Sequence, residues 1–462
     1  MKAGGALDTA KGGGRAVGKL LLPAIALGTM LAPFNATMVA VALPAISDDL
    51  DVGLRDLSWI VVGYLITMAV TQPIAGKLGD LFGRRKLFLG ALVGFALASI
   101  GAALAPNLPT LLAMRVGQAL SSAMATPNGA ALIREWVPQH RRAAAFGIVG
   151  ASAGLAAGIG PPIGGAMIAL GGWRAMFWFN IPVVILAFVF AWRSLPRDRG
   201  AKDAGGFDFR GAALLAGTLT ALALVASAIK GGDAWAIFGL TAAALVMGSL
   251  FVNHERLIKE PIIRLSLFRI QTFRSATLTI LFSNMAMYTT LLVIPLFLVD
   301  LQGRSTLQVG FVLGAMSLPL VFFSPLGGRL ADRWGRRTPA LVGGVLVLGG
   351  LLPFLAVDEN WGLGLIAMLL AFIGSGMALQ LPAIQTAALE SVPERDAGMA
   401  AGVYSLGRYV GSIVGSAVLV ALLGTGADAG DAISIAAVST VFVMAVVASA
   451  GALISPMWIR NR

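Results

Sequence analysis

The chain has no cysteine, which excludes disulfides, thiolate nucleophiles and cysteine-ligated metals. Histidine is nearly absent as well: His140 and His254 are the only two, each at the end of an apolar run. No metal-ligating cluster is visible, and no metal or other cofactor is expected. Charge is scarce. Only 12% of residues are Asp, Glu, Lys or Arg, against about 25% in ordinary soluble domains. Instead, 57% of the 462 residues are hydrophobic. That balance excludes a soluble globular protein and points to a polytopic membrane protein, with lipid as the solvent for most side chains. A net charge of +12 does not indicate a nucleic-acid partner, because the basic residues sit in short loops between apolar spans, where they set topology.

Fourteen spans can be read, at residues 20–46, 57–78, 87–105, 109–135, 142–170, 173–194, 208–229, 234–253, 272–299, 306–331, 338–356, 361–389, 397–424 and 432–457. Several exceed the roughly 20 residues needed to cross a bilayer, which implies tilt or extension beyond it. The first follows Lys11, Arg15 and Lys19. It is too long for a signal peptide and lacks a clear cleavage site, so it reads as a spanning helix. An even number of spans places both termini on one side. Of the 34 Lys and Arg, only Arg55, Arg174, Lys230 and Arg304 fall in the loops of the other side, and Arg115 and Arg408 fall inside spans. The termini are therefore expected to be cytoplasmic. Acids divide likewise: Asp48, Asp49, Asp51, Asp56, Asp233, Asp300, Asp358, Glu359, Asp428 and Asp431 lie in outer loops, and the rest, including Asp80, Glu135, Asp332 and Glu390, lie at or beyond the inner helix ends. No carboxylate is expected mid-span.

One stretch occurs twice. Gly76-Lys77-Leu78-Gly79-Asp80-Leu81-Phe82-Gly83-Arg84-Arg85-Lys86 returns half a chain later as Gly328-Arg329-Leu330-Ala331-Asp332-Arg333-Trp334-Gly335-Arg336-Arg337. The glycines permit a tight turn between helices. The acid can pair with a loop arginine or cap a helix N-terminus. Two such copies, each between apolar spans, argue for a duplicated transporter. The pattern resembles the signature loop of the major facilitator superfamily, which follows the second helix of each six-helix half. Gating is accordingly assigned to Gly76, Asp80, Gly83, Arg84, Arg85, Gly328, Asp332, Gly335 and Arg336.

Further motifs extend the resemblance over nearly the whole chain. Gly147, Gly160, Pro161, Gly164 and Gly165 resemble the antiporter motif of drug exporters, with Ala156 where that pattern has glycine. The same residues would also serve tight helix packing alone. Arg115-Val116-Gly117-Gln118 resembles another motif of the superfamily, and the run from Gly172 to Pro182 and Gly402 to Arg408 with Gly411 resemble the fourteen-helix exporter branch. The resemblance implies an all-α fold of two six-helix bundles plus two extra central helices. It divides the chain into 1–196, a linker of 197–271 that carries the extra pair and an amphipathic basic connector from Glu255 to Arg274, and 272–462. That connector reads either as interfacial or as a plain solvated loop.

The implied function is export of amphipathic small molecules across the plasma membrane by alternating access, by a monomer and without enzymatic chemistry. Membrane lipids and the transported substrate are the expected partners. A cavity is expected from Phe34, Asn35, Met38, Arg115, Gln118, Asn284, Tyr288, Gln380, Tyr404 and Arg408. Charge inside a membrane is costly and marks function; Arg115, near the outer end of its span, could equally be structural, whereas Arg408 lies too deep in its span to snorkel easily and reads as functional. One departure stands out: Asn35 occupies a position where the family usually has Asp, so proton coupling is doubtful. The rivals are a translocator of lipid or lipid-like anions, an uncoupled solute facilitator and, from another class, a membrane sensor. An enzyme lacks a nucleophile–base set in this sequence.

Overall fold

A computed structural model of the protein describes residues 20–198, 206–230, 233–427 and 434–460. Lys11, Arg15, Lys19, Arg199, Asp428 and Asp431 lie outside the described residues, as do the side chains of Arg55, Asp56 and Lys230. The described residues form an all-helical fold of thirteen helices: α1 (Leu21–Leu50), α2 (Leu54–Phe82), α3 (Arg84–Ala103), α4 (Leu108–Trp136), α5 (Arg142–Ser194), α6 (Phe209–Lys230), α7 (Ala234–Leu257), α8 (Gln271–Leu296), α9 (Thr306–Trp334), α10 (Arg337–Leu351), α11 (Leu363–Glu390), α12 (Ala397–Ala427) and α13 (Ile435–Ile454). In lipid a helix satisfies its own backbone, which is why uninterrupted apolar runs of this length become helices. Ten helical stretches are long and apolar enough to cross a membrane.

Thirteen helices stand where fourteen spans were expected. The difference lies in α5, 53 residues long, which covers the fifth and sixth expected spans. Its backbone leaves helical geometry only at Gly171 (φ −158°) and Gly172 (φ 72°, ψ −179°). Gly172 takes a left-handed φ that glycine adopts at no steric cost. The corner is held by Asp49, which accepts from Trp173 Nε1 at 3.1 Å and Arg174 at 2.6 Å. Another boundary also moved: α1 runs four residues past its expected end and closes on Asp51, at φ 52°.

Two helices organise the packing. In α5, Gly147 and Gly154 meet Ser324 and Leu320 of α9, while Gly160 and Gly164 meet Thr37 and Met38 of α1. In α12, Gly402 meets Gln72 and Pro73 of α2, while Gly411 and Gly415 meet Leu281 and Met285 of α8. Each therefore has one glycine face toward its own bundle and one toward the other. Small residues let the backbones approach closely where no hydrophobic force drives helices together. Within the antiporter-like motif, a Cβ on Gly165 would meet nothing, and Pro161 is exposed.

The extra helices α6 and α7 form a hairpin, and α6 leans on α2 and α12 beside the seam between bundles. The connector that follows is not a separate amphipathic helix. It is extended chain with a short 3₁₀ turn, Leu265–Arg269, and it buries Ile262, Ile263 and Leu267. The apolar side that suggested an interfacial segment is spent on protein.

Candidate functional site

The two copies of the repeated stretch end α2 and α9. Gly83 (φ 105°) and Gly335 (φ 82°) close those helices in conformations that favour glycine. Just before each turn sits the acid. Asp80 accepts hydrogen bonds from the backbone N–H of Gly398 at 3.0 Å and Met399 at 2.8 Å, in the first turn of α12. Asp332 accepts from Ala143 at 3.2 Å and Ala144 at 2.9 Å, in the first turn of α5. Each carboxylate thus caps a helix of the opposite bundle, where free N–H groups and the helix dipole favour negative charge.

Arginines complete both interlocks. Arg84 bonds Asp80 at 2.9 Å and Glu135 at 2.9 Å, and reaches the Glu394 carbonyl across the seam at 2.8 Å. Arg336 bonds Asp332 at 2.7 Å and Glu390 at 3.2 Å, and reaches the Gln139 carbonyl at 3.2 Å. Beneath them the backbones touch. A Cβ on Gly76 would collide with the Gly398 carbonyl, and one on Gly328 with that of Ala143. Arg85 plays a different part. Its side chain lies over Trp192, 5.2 Å from the ring centroid, and Asp198 caps the N–H groups of Arg85 and Lys86 at the start of α3.

Several participants on this basic face were not singled out from sequence. Arg134 donates across the seam to the carbonyls of Leu389 (2.8 Å) and Val392 (3.3 Å), and Arg142 pairs with Glu390 at 3.4 Å. The connector straps both bundles: Glu260 bonds Lys77 of α2 at 2.8 Å, and Arg264 bonds Asp396 ahead of α12 at 3.0 Å. The Lys77 ammonium holds the Glu260 carboxyl below its usual range. A depressed value means that this tie persists through mild acid and is lost only as pH falls through that lowered value. The signal for Glu135 and Glu390 was present, since each ends the helix two after a motif copy; their partners were not.

A second polar group lies inside the first bundle. Gln118 is its hub. Its Oε1 accepts from Asn35 at 3.0 Å and from Arg115 at 2.9 Å, and its Nε2 donates to Ser99 at 2.8 Å. Arg115, 1% exposed, stacks on the Tyr64 ring at 4.4 Å. Arg115 was expected to face a water-filled cavity; it is packed in the bundle, where a ring face and an amide stand in for part of its water while its Nε is buried without a hydrogen-bond partner. Phe34 and Met38 are likewise buried, in the core beneath α1. In the second bundle, Gln380 binds Ser283 and the carbonyls of Ala340 and Ala452, and Asn284 binds the Ile280 carbonyl. Both are buried; Gln380 ties α11 to α8, α10 and α13, whereas the Asn284 bond stays within α8.

Arg408 differs. It is half-buried, lies 5.4 Å from the Tyr409 ring, and sits within electrostatic reach of Tyr288 and Tyr404. Tyr409 also accepts from Gln72 of α2 at 3.3 Å, across the seam. Among the described residues no carboxylate pairs with Arg115 or Arg408. Tyr404 Oη and Gln72 Oε1 are buried without a hydrogen-bond partner.

Paired halves, each with a glycine-bounded acid capping the other half's helix, match a known architecture. A family model for the Major Facilitator Superfamily covers residues 25–416 and 276–461. The chain belongs to the Major Facilitator Superfamily. As a member it is a multi-pass membrane transporter, not an enzyme. It is 35% identical over 410 residues to the multidrug resistance protein Stp of Mycobacterium tuberculosis, across 87% of this chain and 75% of that one. It is 30% identical over 404 residues to the tetracenomycin C resistance and export protein of Streptomyces glaucescens, across 87% and 75%. Among solved structures, the human organic anion transporter MFSD10 superposes with a TM-score of 0.66 at 17% identity, across 96% of this chain and 99% of that one. The last likeness concerns the fold of the superfamily.

Proposed function

We propose that this transporter exports amphipathic small molecules across the plasma membrane, alternating access between two bundles, with the basic face and both termini in the cytoplasm. The observation that carries this reading is the doubled interlock. Every ion pair across the bundle seam lies on the basic face, among the described residues. This arrangement is the state shut toward the cytoplasm, and release of the two caps would open it. Relatives named for multidrug resistance and for tetracenomycin C export support the direction and the substrate class. The fourteen-span arrangement belongs to the same reading: the break at Gly171–Gly172 divides α5 into two spanning arms. Proton coupling is weak or absent, because Asn35 cannot titrate and arginine stays protonated. A second reading, translocation of a lipid or lipid-like anion, is favoured by Arg408, a half-buried cation with no acid paired to it among the described residues.

The test is transport in proteoliposomes. Neutral or anionic amphiphiles should move, with little proton counterflow. Robust stoichiometric proton counterflow with Asn35 in place would overturn the uncoupled mechanism. Preferential movement of labelled anionic lipid over amphiphilic drugs would select the second reading.

A further inference from the structure

A cleft of about 380 Å³ opens on the basic face, between the connector, the start of α8, the end of α11 and Arg460 beyond α13. Its polar lining includes Arg269, Thr272, Arg336, Glu390, Ser391 and Arg460. The charges do not balance. Glu390 is already met by Arg336 at 3.2 Å and by Arg142 at 3.4 Å. Arg336 is in turn committed to Asp332. Arg269 and Arg460 are both exposed, and among the described residues neither enters an ion pair. The two guanidiniums therefore supply unopposed positive charge to a concave space with two hydroxyls beside it. Part of the wall is fixed: the Arg460 backbone N–H donates to Thr272 Oγ1 at 3.4 Å.

We propose that this cleft is a binding site for a phosphate-bearing anion, held by Arg269 and Arg460 and bordering the Arg336–Glu390 pair of the second interlock. Guanidinium matches phosphate in geometry, offering paired N–H donors to paired oxygens. The volume suits a phosphodiester with part of its glycerol rather than a lone ion. Basic clefts at the membrane ends of helices hold lipid head groups by the same chemistry. Two sources share that chemistry, an anionic phospholipid head group and soluble phosphate. Because the cleft shares Arg336 and Glu390 with the interlock, its occupancy should also stabilise the shut state.

The experiment measures melting temperature and native mass spectra of the full chain. It compares phosphatidylcholine nanodiscs with and without phosphatidylglycerol, and detergent with and without inorganic phosphate at matched ionic strength. The test variant is Arg269→Gln with Arg460→Gln. The control, Arg256→Gln with Lys259→Gln, removes equal charge from exposed connector positions outside the cleft. Phosphatidylglycerol should raise the melting temperature of the parent and the control by a few degrees and leave a bound lipid in the mass spectrum. The test variant should lose most of both effects. Inorganic phosphate reproducing the shift would identify a soluble anion as the source; its failure beside a lipid response would identify the lipid. No response to either ligand in the parent, or equal losses in test and control variants, would overturn the proposal.

Discussion

Two aspartates and one asparagine set the behaviour expected of single residues. Asp80 and Asp332 each have side chains 8% exposed and each cap a helix across the seam. Asp80→Asn keeps the shape but removes the charge that the α12 terminus and Arg84 both face. Such a partly buried charge–terminus contact contributes about 1–2 kcal/mol, roughly a tenfold shift toward the open state. Probe access to the basic face should rise and transport should fall severely, with Asp332→Asn similar or milder. Unchanged access and transport in both variants would refute a gating role. Asn35 sits on the amide that also holds Arg115. In Asn35→Asp the new carboxylate would face the guanidinium across Gln118 and acquire a titratable proton. Transport should become pH-dependent, with proton uptake on substrate addition measured in proteoliposomes.

At the scale of helices, the seam tests whether close backbone approach matters. Gly76→Ala places a methyl against a carbonyl that cannot yield, so closure should be impaired even though both interlocks keep their charges. Gly63→Ala, on the same helix, meets nothing within 4 Å and should leave transport and melting temperature unchanged. Accessibility of a cysteine on the basic face would separate the two. The helices themselves were legible in the sequence because apolar runs in lipid have one outcome. So were the repeated loops, whose residues act locally. The reach of Asp80 to α12 was not legible: Gly398 lies far along the chain, and only folding brings its N–H within 3.0 Å. Nor was the burial of Arg115. Sequence locates an arginine inside a span, but whether water or a tyrosine ring meets it depends on how four helices rotate about their axes.

For the whole molecule, the absence of cysteine makes topology directly measurable. Lys86→Cys should react only with reagent supplied from the cytoplasm, and Asp51→Cys only from outside; both side chains are exposed. Labelling of position 86 from outside would invert the assignment. Charge at the centre also predicts selectivity. With Arg408 unopposed by any carboxylate among the described residues, desolvating a second cation nearby costs both hydration and repulsion. Permanent dications should be poor substrates, and Arg408→Ala should improve them; tight binding of a dicationic dye, indifferent to that change, would contradict this.

The chain has only four tyrosines, and every one of them gathers about Arg115 or Arg408: Tyr64 under Arg115, and Tyr288, Tyr404 and Tyr409 around Arg408. The protein therefore has a built-in optical label. A tyrosine-selective signal, such as ultraviolet resonance Raman or a phenol difference absorbance, originates in the middle of the molecule and nowhere else. Substrate arrival, and the movement of α2 against α12 that the proposed alternating access entails, can be followed there on the unmodified chain, without attaching a dye.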